Sequence, residues 1–203
     1  MIFRRRPVLR LATARLILRP PELADQPHWA LLRRESEPFL KEWEPSWARD
    51  HLSRPAFRNR VTWARRLIEE GRGAPLFLFA SGADDTPAGT LIGAITLDNI
   101  RRGPAQTGSI GYWIGEPFAR HGYMTEALNA VRAHAFGALD LSRLEAACLP
   151  ENVPSRALLE RCGFKYEGVA QSYLQINGRW RSHVLYAALR SDRRGRTDRA
   201  HAL

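Results

Sequence analysis

The hydrophobic period of this chain changes at Gly71, and that change limits the folds open to it. Before Gly71, the residues Phe57, Val61, Ala64 and Ile68 recur at helical spacing. After it comes "PLFLFAS", a short unbroken apolar run that predicts a buried strand. Two more strand-like runs follow, "TLIGAITLDNI" and "SIGYWIG". Their links, "GADDTPAG" and "RRGPAQTG", are short and rich in turn residues. Such links join antiparallel neighbours, because parallel ones need a long crossover.

The flanking segments fill in the order. "RLILRP" alternates like a strand, and "ELADQPHWALLRRES" reads as a short helix. An aromatic-rich connector follows, "PFLKEWEPSWARDHLSRP". From Thr125 a helix fits, with Leu128, Val131, Ala135 and Leu139 in step. "LEAACLP" reads as a strand. "ENVPSRALLERCGF" reads as a second helix, with Asn152 as N-cap, Pro154 in the first turn and Gly163 at the end. The last two strands form a hairpin about Asn177-Gly178. The sum is a mixed α/β (α+β) domain with seven strands in a central, mostly antiparallel sheet.

Charge and cysteine content exclude several classes. The chain of 203 residues carries a net +10, but the charge sits at its ends. Residues 1–19 hold six Arg and no acid, and residues 190–203 hold five Arg against two Asp. The body between is close to neutral. We read 1–9 as a basic leader, 10–190 as one domain and 191–203 as a basic, disordered tail. Basic ends serve either solubility or contact with nucleic acid. No apolar run reaches membrane-spanning length, which predicts a cytoplasmic protein with no membrane partner. Cys148 and Cys162 give neither a disulfide framework nor metal-ligand spacing, so no metal is expected.

One turn carries chemistry. In "EPFARHGYMTEAL" a Gly and an Arg stand where a helix opens. The first turn of a helix has unpartnered N–H groups and partial positive charge. With Gly122 allowing close approach and Arg120 adding charge, the turn is a candidate phosphate seat. Alone it reads first as a basic surface turn.

Three stretches in this order, "SIGYWIGEPFARHGYMTEAL", "RLEAACLPENVPSRALLERCGFKYEG" and "YLQINGRWRSHVLY", resemble the GNAT superfamily of acetyl-CoA-dependent N-acetyltransferases. Within it they look most like the RimJ type, which acetylate the N-terminal alanine of a small-subunit ribosomal protein. The resemblance implies a three-layer fold with helices on both faces and a splay between the fourth and fifth strands. It implies that Arg120, His121, Gly122, Tyr123, Met124 and Thr125 cradle the coenzyme A pyrophosphate. Trp113, Ile114 and Gly115 would lie along the thioester, Asn152 would bond the pantetheine, and Ser155 would lie near the sulfur. Ala119 and Met124 depart from the usual turn, but backbone contacts survive both changes.

The usual proton-handling positions of such enzymes hold Leu159 and Ala147 here. Ser155 as acid and Glu145 as base remain, with Tyr112 between the strands as a third catalytic candidate. Glu145 shares a strand face with Ala147. Each has a structural alternative: a carboxylate paired to an Arg for Glu145, helix capping for Ser155, a core aromatic for Tyr112. On the acceptor side, Trp43 and Trp47 would pack a lip, and Glu42 and Glu44 would attract a cationic N-terminus. The expected reaction is acetyl transfer to a protein N-terminus by direct amine attack. The expected partners are a ribosomal protein and, through the basic ends, ribosomal RNA, with the enzyme a monomer or homodimer. The alternatives are a small-amine acetyltransferase and an RNA-binding module without catalysis.

Overall fold

The apolar run after Gly71 forms β3 (Ala74–Ala80), buried along its whole length. Its side chains divide between two cores: Leu76, Leu78 and Ala80 face one, Phe77 and Phe79 the other. A strand buried on both faces needs cover on both. The computed structural model describes residues 9–190 and supplies that cover. On one face α1 (Gln26–Glu35) and α3 (Arg54–Glu69) pack Trp29, Leu32, Phe57 and Val61 against the Phe77 layer. On the other, α4 (Tyr123–Phe136) and α5 (Val153–Arg161) bring Leu128, Val131 and Leu159. The leader up to residue 8 and the tail from 191 lie outside the described residues.

The sheet has eight strands where the sequence reading expected seven. They are β1 (Leu11–Ala12), β2 (Leu16–Arg19), β3, β4 (Leu91–Arg101), β5 (Thr107–Ile114), β6 (Arg143–Cys148), β7 (Lys165–Ile176) and β8 (Arg179–Leu189), in spatial order β1-β2-β3-β4-β5-β6-β8-β7. The extra strand is β1, which pairs only Leu11 with Leu18 and Ala12 with Ile17. Two residues are too few to show a period. The connector also holds a further short helix, α2 (Glu37–Lys41), with Pro38 in its first turn, where a missing N–H costs nothing. α4 begins two residues before Thr125, because left-handed Gly122 (φ +81°) is its N-cap and has no capping side chain.

β5 and β6 form the single parallel pair among the described strands. Their ladder runs from Thr107–Arg143 to Ile110–Ala146 and then stops. Neither strand frays there. β5 stays paired with β4 as far as Ile114, opposite Gly93. β6 stays paired with β8 as far as Cys148, opposite Val184. The result is a fixed gap between the fifth and sixth strands, which are the fourth and fifth of the seven expected.

Gly93 holds the near wall of this gap tightly. A Cβ there would stand 2.4 Å from the Trp113 carbonyl oxygen, a backbone atom with little freedom to yield. Gly93→Ala should therefore cost about 1–3 kcal/mol as an overpacked site, or a fall in Tm of roughly 2–12 °C at this size. Thermal unfolding followed by circular dichroism checks this. An unchanged Tm would mean that β4 and β5 separate freely at this point.

Candidate active site

The gap is first a backbone feature. The Gly115 N–H donates to the Ile92 carbonyl at 2.9 Å, across the β4 side. Successive N–H groups of a strand point to opposite edges. The N–H groups of Ile114 and Tyr112 therefore face the β6 side, where pairing has ended. They are unclaimed donors at the end of a rigid strand. The strand end is fixed from behind, where Gly115 lies against Leu32 and the Glu116 N–H donates to Ser36 Oγ at 3.0 Å.

The turn before α4 closes one end of the gap. Arg120 (φ +66°) and Gly122 (φ +81°) are both left-handed, which turns the chain sharply into the helix. The N–H groups of Tyr123, Met124 and Thr125 lie in the first turn, where no helix carbonyl reaches them. Arg15 braces the turn. Its guanidinium bonds Glu126 at 2.9 Å and the His121 carbonyl at 3.1 Å, and it lies 4.6 Å from the Tyr123 ring centroid. The Tyr123 hydroxyl donates to Asp84 at 2.6 Å and also meets Thr86. Burial pulls the Glu126 carboxyl up, but the hydrogen bonds from Thr13 and Arg15 outweigh it and hold it low.

Below the gap two hydroxyls meet. Tyr112, on β5, places its OH 2.8 Å from Ser155 Oγ, in the first turn of α5. Asn152 caps that helix: its Oδ1 accepts the Ser155 N–H at 3.1 Å. The Ser155 hydroxyl is thus not used in capping. Burial raises the Tyr112 phenol well above its usual range, so it stays protonated at neutral pH. Cys148, at the end of β6, is buried, and burial raises its thiol too.

On the opposite face, against α1 and α3, lies a cavity of about 270 Å³ whose lining includes Trp29, Arg33, Glu44, Trp47, His51, Arg60 and Trp113. The Arg33 guanidinium lies between the Trp47 and Trp113 rings, 4.3 and 4.7 Å from their centroids. It holds Glu44 through two N–H groups, one at 2.7 Å. Glu44 also accepts the Trp47 indole N–H at 2.8 Å. His51 stacks on Trp47. Burial first, then Arg33 and Arg60, push its pKa down to about 4.

A gap lined by free strand N–H groups, ending at an uncapped helix N-terminus, has a known counterpart. Residues 15–165 match the sequence profile of the Acetyltransferase (GNAT) domain. The chain belongs to the GNAT acetyltransferase family. Among its relatives is the [ribosomal protein uS5]-alanine N-acetyltransferase of Escherichia coli, 33% identical over 186 residues, covering 92% of this chain and 93% of that one. The fold superposes on Mycobacterium smegmatis RimJ, solved in complex with CoA-disulfide, with a TM-score of 0.81 and 30% identity, covering 91% and 88% of the two chains. It also matches the ribosomal-protein-S5-alanine acetyltransferase of Vibrio fischeri, with a TM-score of 0.82 and 25% identity, covering 91% and 98%.

Within this acetyltransferase the expected site residues divide. Tyr112, Ile114, Gly122, Asn152 and Ser155 all lie along the gap or at its ends. Gly115 sends its N–H away from the gap, and its lack of a side chain serves the contact with Leu32. Trp113 points to the cavity on the α1 and α3 face. Tyr123 and Met124 are buried, so only their backbone is available to a ligand. Glu145 sits in the paired half of β6, opposite Ser109, with its carboxylate on Arg143 and Arg101. Glu44 and Trp47 line the cavity, whereas Trp43 does not. Glu44 is already neutralised by Arg33 and is no free attractor of a cation. Sequence reading missed Arg15, Arg33, Ser36 and Glu126. Except for Glu44, eleven residues from Arg33, their partners lie far along the chain, and no local pattern marks them.

The cavity charges give a direct check. Nuclear magnetic resonance should show the His51 imidazole titrating near pH 4. An unfolded histidine titrates near ~6.5, so the unfolded chain binds more protons between the two values. The His51 contribution to stability is therefore full above about pH 6.5 and lost as pH falls toward 4. A midpoint near 6.5 in the folded protein would mean that neither burial nor the two arginines act on this ring.

Proposed function

We propose that this acetyltransferase moves the acetyl group of acetyl-CoA to the α-amino group at a protein N-terminus, with the N-terminal alanine of a small-subunit ribosomal protein as acceptor. The observation that carries this reading is the pair of N–H groups, on Tyr112 and Ile114, turned into a gap that ends at Gly122. The residues fit the co-substrate. Gly122 has the positive φ that a side chain disfavours, and the space a Cβ would take lies 3.4 Å from Arg15 Nη2. The first turn of α4 would hold the pyrophosphate, and the amide face of Asn152 not used in capping would hold the pantetheine. The relatives named for ribosomal-protein alanine support the acceptor.

Bound acetyl-CoA supplies an activated acetyl thioester. The Ile114 N–H is aimed where negative charge develops on the carbonyl oxygen, and such a preorganised donor is worth about 10²–10³ in rate. The acceptor amine, with a pKa near ~7.7–8.0, is partly neutral already, so it attacks directly in a ternary complex without a strong base. The Ser155 hydroxyl donates toward the departing sulfur, and Tyr112 orients that hydroxyl. The nitrogen sheds one proton to solvent and the sulfur takes one up, so the step balances. Glu145 has no part in this account, because its two arginines occupy it. A polycationic small amine suits the acceptor cavity poorly, since Arg33 and Arg60 outnumber Glu44.

The reading is tested by coenzyme A release with peptides beginning in Ala, Ser or Thr, alongside polyamines and aminoglycosides. Turnover with Ala-initiated peptides above the small amines is expected, and a preference for a small amine would overturn it. Ser155→Ala should lower kcat by about 10²-fold, and Tyr112→Phe by less, with the acetyl-CoA KM little changed. A full-rate Ser155→Ala enzyme would remove that hydroxyl from the reaction.

The cradle has its own test. Gly122→Val should raise the acetyl-CoA KM by about tenfold or more, because it obstructs close approach of an anion to the helix N-terminus. An unchanged KM would put the pyrophosphate elsewhere.

A further inference from the structure

The acceptor-side cavity holds more positive charge than its own groups neutralise. Glu44 is fully engaged: both oxygens accept from Arg33, and one also accepts from the Trp47 indole. Arg60, on α3, lines the same cavity and makes no hydrogen bond or ion pair among the described residues. It rests 5.2 Å from the Trp29 ring centroid, and burial weakens its protonated form, with Arg33 adding to the effect and Glu44, already bonded to Arg33, opposing it only in part. Arg33 is itself buried, and its Nε has no hydrogen-bond partner among the described residues. His51 is neutral at pH 7 and offsets nothing. Asp50, the other acid acting on His51, is exposed and outside the lining. The cavity therefore carries a surplus of one positive charge between three indole walls. A cation partly removed from water without a partner is costly, and a matching anion relieves that cost with a charge-assisted hydrogen bond.

From the unpaired Arg60 and the cavity it shares with Trp113, we infer that this pocket receives an acidic side chain of the acceptor protein, within the three residues that follow the N-terminal amine. The inference rests on the proposed N-terminal acetylation and specifies which N-termini are preferred. Trp113 adjoins Ile114, so the cavity begins one strand residue from the point where acetyl transfer is proposed. An extended acceptor spans about 10 Å in three residues. The surplus selects a carboxylate over a phosphate: one negative charge balances it, while the near −2 of a phosphate would leave a buried negative charge. A volume of about 270 Å³ admits a side chain with a few waters.

The test compares Ala-initiated peptides carrying Glu or Gln at the second, third or fourth position. The native enzyme should favour a Glu peptide in kcat/KM by about tenfold or more. In Arg60→Gln that ratio should fall toward one, while the acetyl-CoA KM holds. Equal kcat/KM for every Glu and Gln pair with the native enzyme overturns the inference, whatever the variant does. A second measurement needs no turnover. Calorimetry with the same peptides already N-acetylated should show tighter binding of a Glu form, lost in Arg60→Gln. Equal binding overturns the inference, as does inorganic phosphate binding more tightly than a Glu peptide. If no free peptide is acetylated but the acidic form still binds preferentially, the proposed reaction fails and the anion site stands.

Discussion

The site depends on one interruption of hydrogen bonding, the end of the β5–β6 ladder after Ile110 and Ala146. Buried backbone groups must find partners somewhere. Here the outer edge of each strand stays paired, β5 with β4 and β6 with β8, so the strands cannot close by shifting register. The inner edges are left facing each other across a rigid slot. An extended ligand with amide groups can complete the sheet there as a strand would. The gap is thus a property of the whole sheet. The long β8 strand, the brace at Glu116 and Ser36, and the tight approach of Gly93 to Trp113 all hold it open.

The two faces of the gap are built differently. On the α4 and α5 face, backbone N–H groups and two hydroxyls meet, with Arg120 exposed in the turn. Arg15 reaches Glu126, His121 and Tyr123, which ties β2 to the turn rather than presenting a free cation. On the α1 and α3 face, charge lies in the wall itself. Arg33 sits between two indoles, and Arg60 makes no ion pair among the described residues. This division matches the chemistry. An activated thioester needs fixed donors and alignment. Choice among many N-termini needs a feature to recognise.

Much of the frame was legible in the sequence, because it rests on local patterns. The run at β3, the spacing of Leu128, Val131 and Ala135 on α4, and Asn152 before Pro154 each follow from a few neighbouring residues. The Ser155 hydroxyl could be nominated through the family resemblance, and its position three residues after the cap puts it in the first turn of α5. Its meeting with Tyr112 could not, because the partners are 43 residues apart in the chain. The same holds for Arg15 with Glu126 and Arg33 with Glu44. Glu44 shows the consequence. Read locally, "KEWEPSW" offers free carboxylates to a cationic amine, but the fold brings Arg33 to Glu44 and leaves Arg60 over. The sign of the acceptor pocket is therefore a tertiary property. β1 and α2 escaped for a simpler reason, being too short to show a period.

The central claim is that coenzyme A binding completes the interrupted sheet through backbone groups. Amide hydrogen exchange, resolved by residue with and without saturating acetyl-CoA, tests it most directly. The account predicts that the Ile114 and Tyr112 amides slow strongly on binding, together with those of Tyr123, Met124 and Thr125, while the Gly115 amide, already bonded to Ile92, changes little. Unchanged exchange at Ile114 and Tyr112, with protection appearing elsewhere on the molecule, would contradict it.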